Sequence, residues 1–176
     1  LSNNTRGIFG GGYFQPAPII YTTIDYVTIA SKGNASVFGD VSAAARASQT
    51  RGAASSTRGI VSGGYNPSLS AVQNIIEYIT ISTLGDAKDF GDLSAARRKH
   101  TSASNSTRAL FGGGETPGNS DVIDYVTIAS LGDAIDFGNL SVARHDGAAT
   151  ASQTRGIFAG GDGPSVKDVI DYITIA

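Results

Sequence analysis

The sequence predicts an all-β repeat fold, and three observations carry that prediction. One phrase returns four times, as TRGIFGGG (residues 5–12), TRGIVSGG (57–64), TRALFGGG (107–114) and TRGIFAGG (154–161). Its arginines, Arg6, Arg58, Arg108 and Arg155, stand 52, 50 and 47 residues apart. A second phrase keeps step with it, IDYVTIA, IEYITIS, IDYVTIA and IDYITIA, and puts Tyr26, Tyr78, Tyr125 and Tyr172 in one frame. Each apolar run is short and rich in Ile, Val, Tyr, Phe and Thr, with Gly, Asp, Asn, Pro or Ser at its ends. That is the composition of brief strands joined by tight turns.

The repeat reads as four strands. The first is a small-residue segment such as HDGAATAS, the second is the TRGIF phrase, and the third is the IDYVTIA phrase. The fourth is an FGDLSAAR-like stretch, present at residues 38–46, 90–97 and 137–144. The Gly doublets 11/12, 63/64, 113/114 and 160/161 close the second strand, so Gly12, Gly64, Gly114 and Gly161 are structural repeat positions. A side chain there would either meet the neighbouring sheet or oppose a left-handed turn. Gly33, Gly85 and Gly132, each followed by Asn or Asp, supply the positive-φ position of the turn between the third and fourth strands.

Alternation along the third strand sets how the sheets must pack. In DVIDYVTIA (121–129), Ile123, Tyr125 and Thr127 point one way while Val126 and Ile128 point the other. Both faces are largely apolar, so each sheet needs cover on both sides. Four-stranded units packed between two neighbours are the blades of a β-propeller. The expected partition is a partial blade over 1–45, blades over 46–96 and 97–143, and a partial blade over 144–176. The first lacks its innermost strand and the last its outermost, so the piece is not expected to close a ring by itself. With no methionine anywhere, Leu1 is read as lying inside a longer chain.

Composition narrows the function. Net charge is −2 over 176 residues and the nine arginines are spread through the repeats, which gives no electrostatic footprint for nucleic acid. Absence of cysteine excludes disulfides and thiolate metal sites. The apolar runs are broken by Asp, Glu, Thr or Gly within a few residues, so no membrane-inserting segment is expected.

The Gly-Gly doublet ending a strand, the Tyr on the next strand, a later aromatic, and an Arg before the following small-residue strand resemble a kelch-type propeller repeat. Here the later aromatic is Phe38, Phe90 or Phe137, each twelve residues after its tyrosine, and tryptophan is absent. The resemblance implies a kelch-like β-propeller segment of about four four-stranded blades, incomplete at both ends. The wording IDYVTIASLGDA, FGDLSxAR and STRGIFGGG also resembles repeats of virion and tail-associated proteins of marine bacteriophages, cyanophages especially. That likeness implies a virion or extracellular location. It also implies other virion proteins or further copies of the repeat chain as partners, and a host-surface glycan or protein as ligand. The alternative is a cellular kelch-type protein-interaction scaffold, and a propeller enzyme stands third.

No catalytic, cofactor or metal site is expected. A copper-radical oxidase on such a propeller would require a thioether cysteine, and His100 and His145 occupy different places in their repeats. Arginines recurring at one position in every repeat are structural; pairing of Arg6, Arg58, Arg108 and Arg155 with Asp25, Glu77, Asp124 and Asp171 is the expected role. Asp86, Asp89 and Asp92, like Asp133 and Asp136, are read as turn formers, since the first repeat has Asn34 and Val37 at the corresponding places. Recognition is assigned to what differs between repeats. Tyr13, Phe14, Tyr65, Asn66, Arg98, His100, His145 and Asp146 lie on loops expected to share one surface.

Overall fold

The computed structural model describes residues 1–14, 19–42 and 49–175, and for residues 13, 14, 19 and 20 it describes the backbone. Every regular element among them is a strand. Sheet I contains β1 (Arg6–Phe14), β2 (Ile19–Thr28) and β3 (Ser36–Asp40). Next come β4 (Arg51–Ala54), β5 (Arg58–Ser62), a small separate hairpin of β6 (Tyr65–Asn66) and β7 (Ala71–Val72), β8 (Ile75–Thr80) and β9 (Lys88–Asp92). Sheet II takes four of these in the order β4-β5-β8-β9. Sheet III is β10 (Thr101–Ser104), β11 (Arg108–Gly112), β12 (Val122–Thr127) and β13 (Ile135–Asn139). Sheet IV is β14 (Ala148–Ala151), β15 (Arg155–Ala159) and β16 (Ile170–Thr174). All ladders are antiparallel, and the last two strands of sheets I to III share a register shift at the same step, between Ile24/Asp25, Ile76/Glu77 and Ile123/Asp124.

Burial follows the alternation read from the sequence. Ile123 packs into an apolar layer with Leu110, Leu140, Phe158 and Ile175, between sheets III and IV, with Tyr125 against its margin. Val126 and Ile128 face the other way, into a layer with Ile60, Ile76 and Phe90 of sheet II. A third layer joins Ile8, Ile24 and Phe38 of sheet I to Ile79 and Ile81 of sheet II. Successive sheets therefore stack face to face, and the stack is what removes the strands' apolar surface from water.

Polar latches cross the same boundaries. Arg97 follows β9 of sheet II and is fully buried, and its guanidinium reaches sheet III, where Nη2 donates to Asp124 Oδ2 at 2.8 Å and to the Phe111 carbonyl at 3.1 Å. Ser94 donates its amide and hydroxyl to the same carboxylate. One repeat later, Arg144 makes the equivalent contacts with Asp171 at 2.9 Å and the Phe158 carbonyl at 3.2 Å, and the Ser141 amide donates to Asp171. Burial lowers the pKa of Arg97, opposed by the carboxylates of Asp124 and Asp136. For Asp171, burial pushes the carboxyl up, but the bonds from Ser141 and Arg144 outweigh it and leave it lowered.

This corrects the expected pairing of the four TRG arginines with the acids before the tyrosines. Arg6, Arg58, Arg108 and Arg155 instead lie over the rings of Tyr26, Tyr78, Tyr125 and Tyr172 at 4.7–4.8 Å. Arginine and tyrosine sit on neighbouring strands of one face, whereas Asp124 and Asp171 point to the opposite face, where Arg97 and Arg144 of the preceding repeat meet them. Arg6 and Arg58 also donate across the sheet boundary to the carbonyls of Ile81 and Ile128, at 2.7 and 2.8 Å. Phe38, Phe90 and Phe137 pack edge-on against Tyr26, Tyr78 and Tyr125 at 5.9–6.1 Å. Tyr78 and Tyr125 are half-buried, each at the margin of an apolar layer.

The glycine doublets of sheets II and III do both things expected of them. Gly63 and Gly113 have φ of 55° and 66°, and a Cβ there would strike the carbonyls of Arg97 and Arg144. The Gly-Asp turns also join neighbouring sheets. Gly85 and Gly132 donate amides to the Phe38 and Phe90 carbonyls of the preceding sheet at 2.8 Å. Asp86 and Asp133 accept the amides of Asp40 and Asp92, at 2.9 and 3.0 Å. These carboxylates act as turn and junction acceptors.

Candidate functional site

The loops entering the first strands of sheets II, III and IV lie side by side. The Lys99 amide donates to the Gln49 carbonyl at 3.1 Å and the Asp146 amide to the Lys99 carbonyl at 2.8 Å. All three residues, Gln49, Lys99 and Asp146, hold φ between 53° and 62° without being glycine. Non-glycine residues in that region are costly and persist where surrounding structure imposes them. Here the imposed conformation turns the amides of Lys99 and Asp146 toward the preceding loop and sets their side chains against one another.

Loops after the second strands close over this row. Arg98 and Glu115 exchange backbone bonds at 2.8 and 3.0 Å, and His145 and Asp162 do the same at 2.7 and 2.9 Å. An ion-pair network results: Arg98–Glu115 and Lys99–Glu115 at 3.0 Å, Arg51–Asp146 at 2.8 Å, and Lys99–Asp146 at 3.8 Å. Hydrogen bonds from Arg98 and Lys99 hold the Glu115 carboxyl down at about 2. The Arg98 guanidinium lies 5.1 Å from the centre of the Tyr65 ring. One surface thus gathers an aromatic ring, three cations and two carboxylates from three sheets.

Of the residues singled out in the sequence, Tyr65, Arg98, His145 and Asp146 come together here. Asp146 is exposed, while the His145 side chain is mostly covered, with Nδ1 3.5 Å from Asp146 Oδ2. Asn66 and His100 are buried, which corrects their placement on an exposed surface. Asn66 Oδ1 accepts the amides of Ser68 and Leu69 and so shapes the β6–β7 turn. His100 bonds the Ser62 hydroxyl at 2.9 Å and stacks edge-on with Phe111 at 5.9 Å. Tyr13 and Phe14 belong to β1, which continues past its glycines and pairs with Ile19 and Ile20, so they are strand rather than loop; their side chains lie outside the described residues. Arg51, Lys99 and Glu115 were missed. The frame held a signal for Lys99, which occupies the repeat position of Gln49 and Asp146.

No family model matches the sequence, and no curated protein matches it. Among solved structures, the chain is similar to the structure of YjhT, with a TM-score of 0.75 at 12% sequence identity. That match covers 93% of this chain and 58% of the other, so the chain spans less than two thirds of YjhT's length. At such identity the likeness is one of fold: an all-β chain of successive small antiparallel sheets.

Proposed function

We propose that this chain is a non-enzymatic, kelch-like β-propeller segment whose loop face binds a surface glycan or protein, in the setting of a phage virion or tail protein. One observation carries the reading: repeated and unrepeated residues have separate work. Arg58, Tyr78, Phe90, Arg97 and the glycine doublets recur and are used in sheet-to-sheet contacts. Tyr65, Arg98, Glu115, His145 and Asp146 do not recur as a set, and they converge on one side. Face-to-face stacking of the sheets supports the propeller, and the fold likeness to YjhT agrees with it. A ring next to forked cations and carboxylates suits a sugar, offering a stacking surface and charged partners for hydroxyl groups.

The test is capture of the labelled chain on an array of immobilised surface polysaccharides and outer-surface proteins from marine bacteria. Saturable capture by a subset, competed by soluble ligand, is the expected result. Uniform absence of capture would overturn the recognition reading and leave a purely architectural module.

A further inference from the structure

Arg98, Glu115, Lys99, Asp146 and Arg51 follow one another across the loop face as a chain of alternating charge, drawn from sheets II, III and IV. Three of its four links are tight, at 2.8–3.0 Å, but Lys99 Nζ stands 3.8 Å from Asp146 Oδ2, beyond a direct hydrogen bond. The same oxygen lies 3.5 Å from His145 Nδ1, a buried nitrogen with no hydrogen-bond partner among the described residues. Asp146 Oδ2 thus faces two nitrogens and is bonded to neither, while Oδ1 accepts from Arg51 Nη2 at 2.8 Å. The gap is held open from both sides. Glu115 anchors the Lys99 ammonium, Arg51 anchors the Asp146 carboxylate, and the Asp146 amide bonded to the Lys99 carbonyl fixes the two backbones. Asp146 is also the most exposed of the five side chains, so the loose link is the one that solvent reaches.

A group entering that link must accept a hydrogen bond from an ammonium and donate one to a carboxylate. An anion accepts but cannot donate, and it meets Asp146; a cation donates but meets Lys99 and Arg51. A hydroxyl does both with one oxygen. Arg51 directs two of its N–H donors at Thr50 and Asp146, and its remaining donors flank the same carboxylate. Resting on the glycan-binding reading above, we propose that the Lys99–Asp146 link is a diol subsite for a neutral sugar. One hydroxyl bridges Lys99 Nζ and Asp146 Oδ2, and the vicinal hydroxyl accepts from Arg51. Selection against charged sugars is built into the alternation, which sets a like charge beside any ionic group that enters.

The probes are neutral trisaccharides of mannose, of galactose and of glucose, each titrated into the isotope-labelled full chain, with trigalacturonate as the acidic counterpart. Saturable amide shifts at Arg51, Lys99 and Asp146 are expected with at least one neutral member, and none with trigalacturonate. Methylating the vicinal hydroxyls of that member, or Asp146→Asn in the protein, should weaken binding at least about tenfold, since each removes a hydrogen bond to a charged group. Asparagine tolerates the left-handed backbone of this position, so the variant should fold. Preference for trigalacturonate, or affinity unchanged by either modification, would overturn the proposal; shifts centred on Tyr65 and Arg98 would do so while leaving a sugar-binding face in place. Silence of all three neutral sugars would overturn it as well. Capture of other ligands on the polysaccharide and protein array would then leave the broader recognition reading standing, and no capture there would remove both.

Discussion

Replacing Arg97 by methionine tests how the sheets are joined. The guanidinium is fully buried and donates to a carboxylate, Asp124, that is also fully buried. Methionine keeps much of the volume but leaves that carboxylate with only Ser94 as a donor, and removing one partner of a buried pair costs about 3–5 kcal/mol. Against a total of roughly 5–15 kcal/mol for a domain, this is about a fifth or more of the stability. With a urea dependence near 2 kcal/mol per molar, the unfolding midpoint should fall by roughly 2 M. The double variant Arg97→Met/Asp124→Asn removes the stranded charge while keeping an acceptor for the Ser94 amide, and it should recover about half of the loss. Arg58→Ala is the contrast: it forfeits stacking on Tyr78 and one bond to a carbonyl, about 1–3 kcal/mol in all. A cost below about 1 kcal/mol for Arg97→Met, or no recovery in the double variant, would refute the view that this pair is a principal latch between sheets II and III.

Three further outcomes follow from the same contacts. Tyr78→Ala, which loses the edge-on Phe90 ring at 6.0 Å and the Arg58 stack from a half-buried site, should cost about 1.5–3 kcal/mol in a urea titration. Gly113→Ala should destabilise more than Gly85→Ala in thermal melts. Both glycines have positive φ, but only at Gly113 does the new Cβ meet a carbonyl, that of Arg144, whereas Gly85 faces open space. Glu115 is held at about 2 against an ordinary 4.5, so the unfolded chain takes up its proton first as pH falls. Its contribution is fully present above about pH 4.5 and is lost as pH drops toward 2; Glu115→Gln should flatten that part of the stability-versus-pH curve.

The repeat frame made the strands, the turns and the double covering of sheets II and III readable, because period-two alternation and Gly-Asp turns are local signals. Cross-sheet partners were not local. The acids at 77, 124 and 171 are adjacent in sequence to the tyrosines that the TRG arginines stack on, and that adjacency drew the pairing to the wrong arginine. Opposite faces of one strand separate the two, and Arg97 and Arg144 reach the acids from the preceding repeat. Asn66 and His100 looked like surface residues because polarity was read without burial; each is satisfied inside by Ser68 and Leu69 or by Ser62 and Phe111. The left-handed backbone at Gln49, Lys99 and Asp146 carries no residue-type signature, so the network it organises was only half visible.

The division of labour between repeated latches and an unrepeated loop face is tested most directly by binding and stability measured together on the Tyr65→Ala/Arg98→Ala variant. Its changes lie at a half-exposed surface network, so its urea midpoint should stay close to the parent's, with a cost of at most about 1 kcal/mol. Capture on the array component that retains the parent should fall at least about tenfold, because aromatic and arginine anchors dominate interfaces. Undiminished capture at unchanged stability would contradict the account and place recognition elsewhere on the molecule.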